Sequence, residues 1–147
     1  MSLSKNLEDL YEIDDSLWLE KTINLIKENR WQDLDKLHLI EELEGVGKRD
    51  KLAVASLLEQ VIRHLLLLEY WDNEYERSHR HWMAEIRAFR RQLNKNLTTN
   101  LRNFLRDNLD SIYQDARQYV QIKSNLDVFP LECPYSLEQL LEESMNN

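Results

Sequence analysis

Glycine and proline are almost missing from this chain: its 147 residues hold two of each, Gly45, Gly47, Pro130 and Pro134. A sheet protein of this length needs many turns, and turns consume both residue types. So few breakers predict few, long elements and an all-α fold. Cysteine is nearly missing too. The single Cys133 excludes an internal disulfide and fits a reducing compartment. Long apolar runs are also lacking. The most apolar segment, 52–71, is interrupted by Glu59, Arg63 and Glu69, and its longest unbroken run is Leu65 to Leu68. A bilayer span takes about 20 such residues. Glu8 and Asp9 stand where a secretory signal would be uninterruptedly apolar. The expectation is a cytoplasmic protein with no membrane association.

What is present is the balance of a globular protein, 42% hydrophobic and 31% charged. The length suits one domain over residues 1–147, with a core large enough to need no staples. The net charge of −8 is unevenly spread. Residues 1–76 carry −9, residues 77–106 carry +7 and residues 107–147 carry −6. A basic block set inside an acidic chain points to a charged surface with a role.

The apolar periodicity resolves into helices. The first is expected over about 14–29, with Asp14 or Asp15 as N-cap and Leu7 to Tyr11 as a preceding turn. A second, 36–44, is capped by Asp35, lined on one side by Leu37, Ile40 and Leu43, and ended or bent by Gly45 and Gly47. A third, 48–71, is apolar around most of its circumference, as a central helix must be. The fourth, 76–97, repeats Trp82, Ile86, Phe89, Leu93 and Leu97 at helical spacing. The fifth runs from Thr98 or Thr99 to about Ser124. Ser136 and Gln139 then form a capping box for a short last helix. The expected architecture is a compact five- to six-helix bundle around a central apolar helix.

Several groups of residues also match a known pattern in order along about residues 7–142. They are Asp14-x-x-x-Trp18-Leu19-Glu20, Leu39-Ile40-Glu41-Glu42-Leu43-Glu44 with Gly47, His64-Leu65-Leu66, Arg80-x-Trp82, Asp115-Ala116-Arg117, Phe129-Pro130, and Cys133-Pro134-Tyr135 followed by Leu137-Glu138-Gln139-Leu140-Leu141. In these the chain resembles the DUF29 family, a bacterial family abundant in cyanobacteria. The resemblance implies an all-helical, bundle-like fold and no particular activity. Between His64 and Trp82 the chain departs from the family pattern: Trp71 to Tyr75 replace a connector that many members have shorter and with a proline.

Two constellations bear on function. At about 100° per residue, Trp82, Ile86, Phe89 and Leu93 fall within roughly 60° of one another. Arg77, Arg80, Arg87 and Arg91 fall within roughly 80° on the opposite side. The fourth helix should therefore bury an aromatic face and present an arginine stripe. Guanidinium groups in a row can grip carboxylates or phosphates. The bland expectation is pairing with acidic helices of the same chain or of a second copy. The functional one is an acidic protein partner. Nucleic acid ranks third, because the surrounding acidic protein would repel a polyanion and the stripe has no interleaved aromatics.

The second constellation is Asp14, Glu41, Glu44 and His64, polar residues on or beside apolar faces. Imidazole and carboxylates converging in a bundle could bind a metal or transfer protons. A di-metal bundle wants Glu-x-x-His on each of two helices, and only Glu76 to His79 supplies one on the fourth helix. The bland expectation is a polar core network in which Asp14 caps a helix and His64 bonds a carboxylate or Arg117. No nucleophile elbow or phosphate loop is present, so no catalytic residue, cofactor or metal is assigned. The leading expectation is a non-catalytic interaction module, with a metal-dependent or acid–base enzyme centred on His64 as the alternative.

Overall fold

The computed structural model describes residues 3–142. Seven α-helices and one 3-10 turn account for most of them, and there is no strand among the described residues. The helices are α1 (Leu3–Ile13), α2 (Asp15–Lys27), α3 (Lys36–Tyr70), α4 (Asp72–Asn96), α5 (Thr99–Asp107), α6 (Leu109–Ser124) and α7 (Leu137–Leu141). The fold class is all-α, as the scarcity of breakers required. The chain forms two compact units that divide between Arg49 and Asp50, within α3.

The first unit contains α1, α2, the 3-10 turn Trp31–Asp33 and the start of α3. Asp14 caps α2 by accepting the Leu17 N–H at 3.1 Å. Asn29, at a φ of 59°, closes the same helix, while Asn29 N–H reaches the Ile26 carbonyl and Arg30 N–H the Leu25 carbonyl. The apolar core here is small: Leu7, Trp18, Leu25 and Leu34, with Leu10, Tyr11 and Leu39 packed against it. Leu37, Ile40 and Leu43 do not line it; they are 68%, 56% and 63% exposed. The start of α3 instead turns Asp35, His38, Leu39 and Glu42 inward: Trp18 donates to Asp35 and Tyr11 to Glu42, His38 bonds Asp35, and Leu39 packs on the core.

The expected break at Gly45 and Gly47 is absent. A 35-residue helix runs through both, and neither glycine has a positive φ. A helical glycine costs only about 1 kcal/mol against alanine. A break would leave several backbone groups in need of caps, and the flanking Glu, Leu, Lys and Arg are strong helix formers.

In the second unit the later part of α3 is the centre. Val54, Leu58, Val61, Ile62, Leu65, Leu66 and Leu67 are all buried. Around them lie Trp82, Ile86 and Leu93 of α4, Leu105 of α5, Tyr113, Ala116 and Val120 of α6, and Leu137, Leu140 and Leu141 of α7. Trp71 ends α3's run and serves as the N-cap of α4, so Asp72 to Tyr75 are helical rather than a connector. Its ring stacks on Trp82 at 5.9 Å. The expected fifth helix is two helices, bent at Asn108, whose side-chain amide donates to the Phe104 carbonyl at 2.8 Å. The Ser136–Gln139 capping box is present in both directions.

Candidate functional site

Helix α4 has two unlike faces. Trp82, Ile86 and Leu93 are buried and Phe89 is half-buried, while Arg77, Arg80, Arg87 and Arg91 are all exposed, with Ala84 and Ala88 between them. Arg77 lies 3.7 Å from Glu74, its neighbour one turn back. Arg80, Arg87 and Arg91 have no ion-pair partner among the described residues. Among the described residues, then, the one ion pair of the four is that of Arg77, and it lies within α4 itself. What results is a ridge of guanidinium forks set on a rigid helix and available to planar oxyanions.

Arg90, one residue before Arg91, does the opposite. It is 3% exposed and donates Nε–H to the Leu140 carbonyl at 2.9 Å and Nη2–H to the Gln139 carbonyl at 3.2 Å. Asn94 adds a bond to the Leu141 carbonyl at 2.8 Å. These three carbonyls belong to the short α7, too short to satisfy them itself. Burial pulls the Arg90 pKa down from its ordinary value, although the group stays charged in proteins. Sequence reading passed Arg90 over because composition cannot separate a buried arginine from its exposed neighbours. Its helical phase, next to Ile86 and Leu93, was the available signal.

The same device runs along the segment before α7. Arg117 donates to the Phe129 carbonyl at 3.3 Å and lies 3.7 Å from Asp127. Tyr113 donates to the Pro130 carbonyl at 2.5 Å and Gln114 to the Leu131 carbonyl at 2.8 Å. Cys133 donates through Sγ to the Tyr135 carbonyl at 3.3 Å, and burial raises its pKa, which disfavours a reactive thiolate. Side chains of α6 thereby hold an irregular segment whose carbonyls have no helical or ladder partners.

In the first unit, one polar cluster is tightly built. Asp35, 1% exposed, accepts Trp18 Nε1–H at 3.0 Å and the His38 backbone N–H at 3.2 Å, and its Oδ2 lies 2.6 Å from His38 Nδ1. The His38 ring stacks under Tyr11 at 4.0 Å, and Tyr11 donates to Glu42 at 2.5 Å. The bond to Asp35 raises the His38 pKa. The bond to Glu42 pushes the Tyr11 phenol up to about 12. A carboxylate orienting a histidine is the arrangement of a general base. Here His38 Nε2 also lies 3.8 Å from Glu12, so a carboxylate stands beside each ring nitrogen and both favour the protonated ring. The cluster ties α1, α2 and α3 together. Asp35 was read only as a cap and His38 not at all; the Asp-x-x-His spacing at the start of a helix was the missed signal.

The remaining residues singled out from the sequence find local partners. Asp14 caps α2. Glu41 and Glu44 are exposed. His64 is half-buried; its Nδ1 lies 2.6 Å from the Gln60 carbonyl, and its ring is 5.6 Å from Phe89. Burial is the main cause that lowers its pKa. Asp14, His64 and Arg117 thus each have a bond of their own, to the Leu17 N–H, the Gln60 carbonyl and the Phe129 carbonyl. Likewise His79 bonds the Tyr75 carbonyl at 2.7 Å rather than joining Glu76 in a ligand pair. No group of three or more His, Cys, Asp or Glu among the described residues is arranged to hold a metal ion. No described helix is long and apolar enough to cross a membrane.

No curated protein and no solved structure matches the chain. The family model for the domain of unknown function DUF29 matches residues 10–145, nearly its whole length. Arg117, Phe129-Pro130, Cys133-Pro134-Tyr135 and Leu137 to Leu141, the later part of the pattern read from the sequence, are here the pinned segment and its clamps, and the chain belongs to the DUF29 family.

Proposed function

We propose that the protein is a non-catalytic interaction module whose α4 ridge docks a carboxylate-bearing protein surface, of another protein or of a second copy. One observation carries this: Arg80, Arg87 and Arg91 stand exposed in a row without ionic partners among the described residues, on a helix whose other face is fixed in the core. Holding like charges side by side opposes folding slightly, and a partner's carboxylates would relieve it through bidentate bonds. A nucleic acid carries its phosphates past the ridge onto the acidic remainder of the chain, which would repel them within a Debye length, whereas a protein surface can confine its carboxylates to the ridge. The family match runs through both units, which supports reading them as one functional domain.

Sedimentation velocity at low and high salt separates self-association from monomer. If the partner is a second copy, the wild-type chain sediments as a salt-sensitive oligomer, and the variant with all four ridge arginines changed to glutamine as a monomer. Oligomerisation that the variant retains would remove the ridge from the interface.

A further inference from the structure

Tyr135 donates its phenol to Glu69 Oε2 at 2.7 Å, joining residues 66 apart in sequence. Burial and the adjacent carboxylate push the Tyr135 pKa well above its ordinary value, so the phenol stays a donor and holds Glu69 in one orientation. Glu69 has no ion-pair partner among the described residues. It stands in a cleft of about 560 Å³ between α3, α4 and the segment leading to α7, and no other charged residue lines that cleft. The walls are mostly apolar, Leu65 and Leu68 from α3, Met83 from α4 and Pro134, and the further polar residue, Gln139 of α7, has its side-chain oxygen engaged by the Ser136 N–H. Tyr75, 40% exposed, adds an aromatic surface.

Each feature narrows the occupant. Small-molecule sites commonly measure about 300–1,000 Å³, mostly apolar with a few placed polar groups. A carboxylate already oriented by a phenol keeps its remaining lone pairs for a donor, and loses little entropy on binding one. Aromatic rings favour a cation over an anion. The wall is also rigid, since Arg90 and Asn94 hold α7 and Cys133 bonds the Tyr135 carbonyl. We propose that this cleft binds a small organic cation, an ammonium on an apolar body, with Glu69 as the charge partner and Leu65, Leu68 and Met83 around the body.

The test is an amide-resolved NMR titration of the full chain with phenethylammonium and, as a size-matched anion, hydrocinnamate. Phenethylammonium should saturably shift the amides of Leu68, Glu69, Met83 and Tyr135, and hydrocinnamate should not. Glu69→Gln should weaken phenethylammonium at least about tenfold, as loss of a charge-assisted bond does, with distant amides unmoved. Met83→Trp, at a partly exposed position, should abolish binding by filling the cleft while leaving the carboxylate in place. Equal binding of both probes, no saturation by phenethylammonium, or binding undiminished in Glu69→Gln would each overturn the assignment.

Discussion

Arg90 and Leu140 are fifty residues apart, yet the guanidinium of one donates to the carbonyl of the other at 2.9 Å. Arg91, the next residue, points its charge into solvent. Adjacent arginines on one helix therefore have opposite tasks, one closing the fold and one belonging to the ridge. Arg90→Ala should cost about 2–3 kcal/mol, the scale of a lost charge-assisted bond at a buried site, and should free α7. Arg91→Ala should stay within about 0.5 kcal/mol. Chemical denaturation of the two variants, read by circular dichroism, checks the contrast.

The bond from Trp18 to Asp35 invites a second substitution. Asp35→Ala leaves Trp18 Nε1 without its acceptor and His38 without its counter-ion, within a unit whose apolar core is small. Breaking a buried pair from one side costs about 3–5 kcal/mol. Hydrogen exchange should then lose protection across α1 and α2 while the second unit keeps its own.

The two core-facing histidines should titrate in opposite directions. The His38 pKa is raised above 6.5 by Asp35, so the stability it contributes is fully present below pH 6.5 and lost as pH rises through its folded value. The groups facing it are Tyr11 and Glu12 from α1 and Asp35, Glu41 and Glu42 on its own side. The His64 pKa is lowered, chiefly by burial, so its neutral ring favours folding above pH 6.5, and that contribution is lost as pH falls through its folded value. NMR titration of the ring carbons should place His38 above and His64 below the ordinary histidine value. A shift of His38 that survives in Asp35→Asn would contradict the cause given for it.

Gly47 offers a gain rather than a loss. It is exposed in the middle of α3, has no positive φ, and an added Cβ would meet nothing within 4 Å. Gly47→Ala should stabilise by up to about 1 kcal/mol, measured as a higher denaturation midpoint with an unchanged slope.

Much of the fold was legible because the helical period is long-lived in this sequence. The inward Trp82, Ile86 and Leu93 and the outward Arg77, Arg80, Arg87 and Arg91 followed from phase alone. The centrality of α3 followed from its apolar circumference. Gly45 and Gly47 misled because a glycine permits a break without requiring one. Leu37, Ile40 and Leu43 misled because hydrophobicity was taken to choose the buried side, whereas hydrogen bonds from Trp18 to Asp35 and from Tyr11 to Glu42, and the bond of His38 to Asp35, turn the polar side inward. The pinned segment before α7 was hidden for a related reason. Bonds from Arg117, Tyr113 and Arg90 to distant carbonyls leave no periodic trace in a sequence.

The central claim is that the α4 ridge docks a carboxylate-bearing protein surface. Its most direct test is fluorescence anisotropy of a labelled polyglutamate peptide and a labelled DNA duplex, each titrated with the wild-type chain and with the variant carrying glutamine at Arg77, Arg80, Arg87 and Arg91. The account predicts that polyglutamate binds the wild type at about 0.02 M salt, weakens by about 0.3 M as screening shortens, and is lost in a variant that remains folded. It predicts weaker binding of DNA throughout. Tighter binding of DNA, abolished by the same four substitutions, or polyglutamate binding that the variant retains, would contradict it.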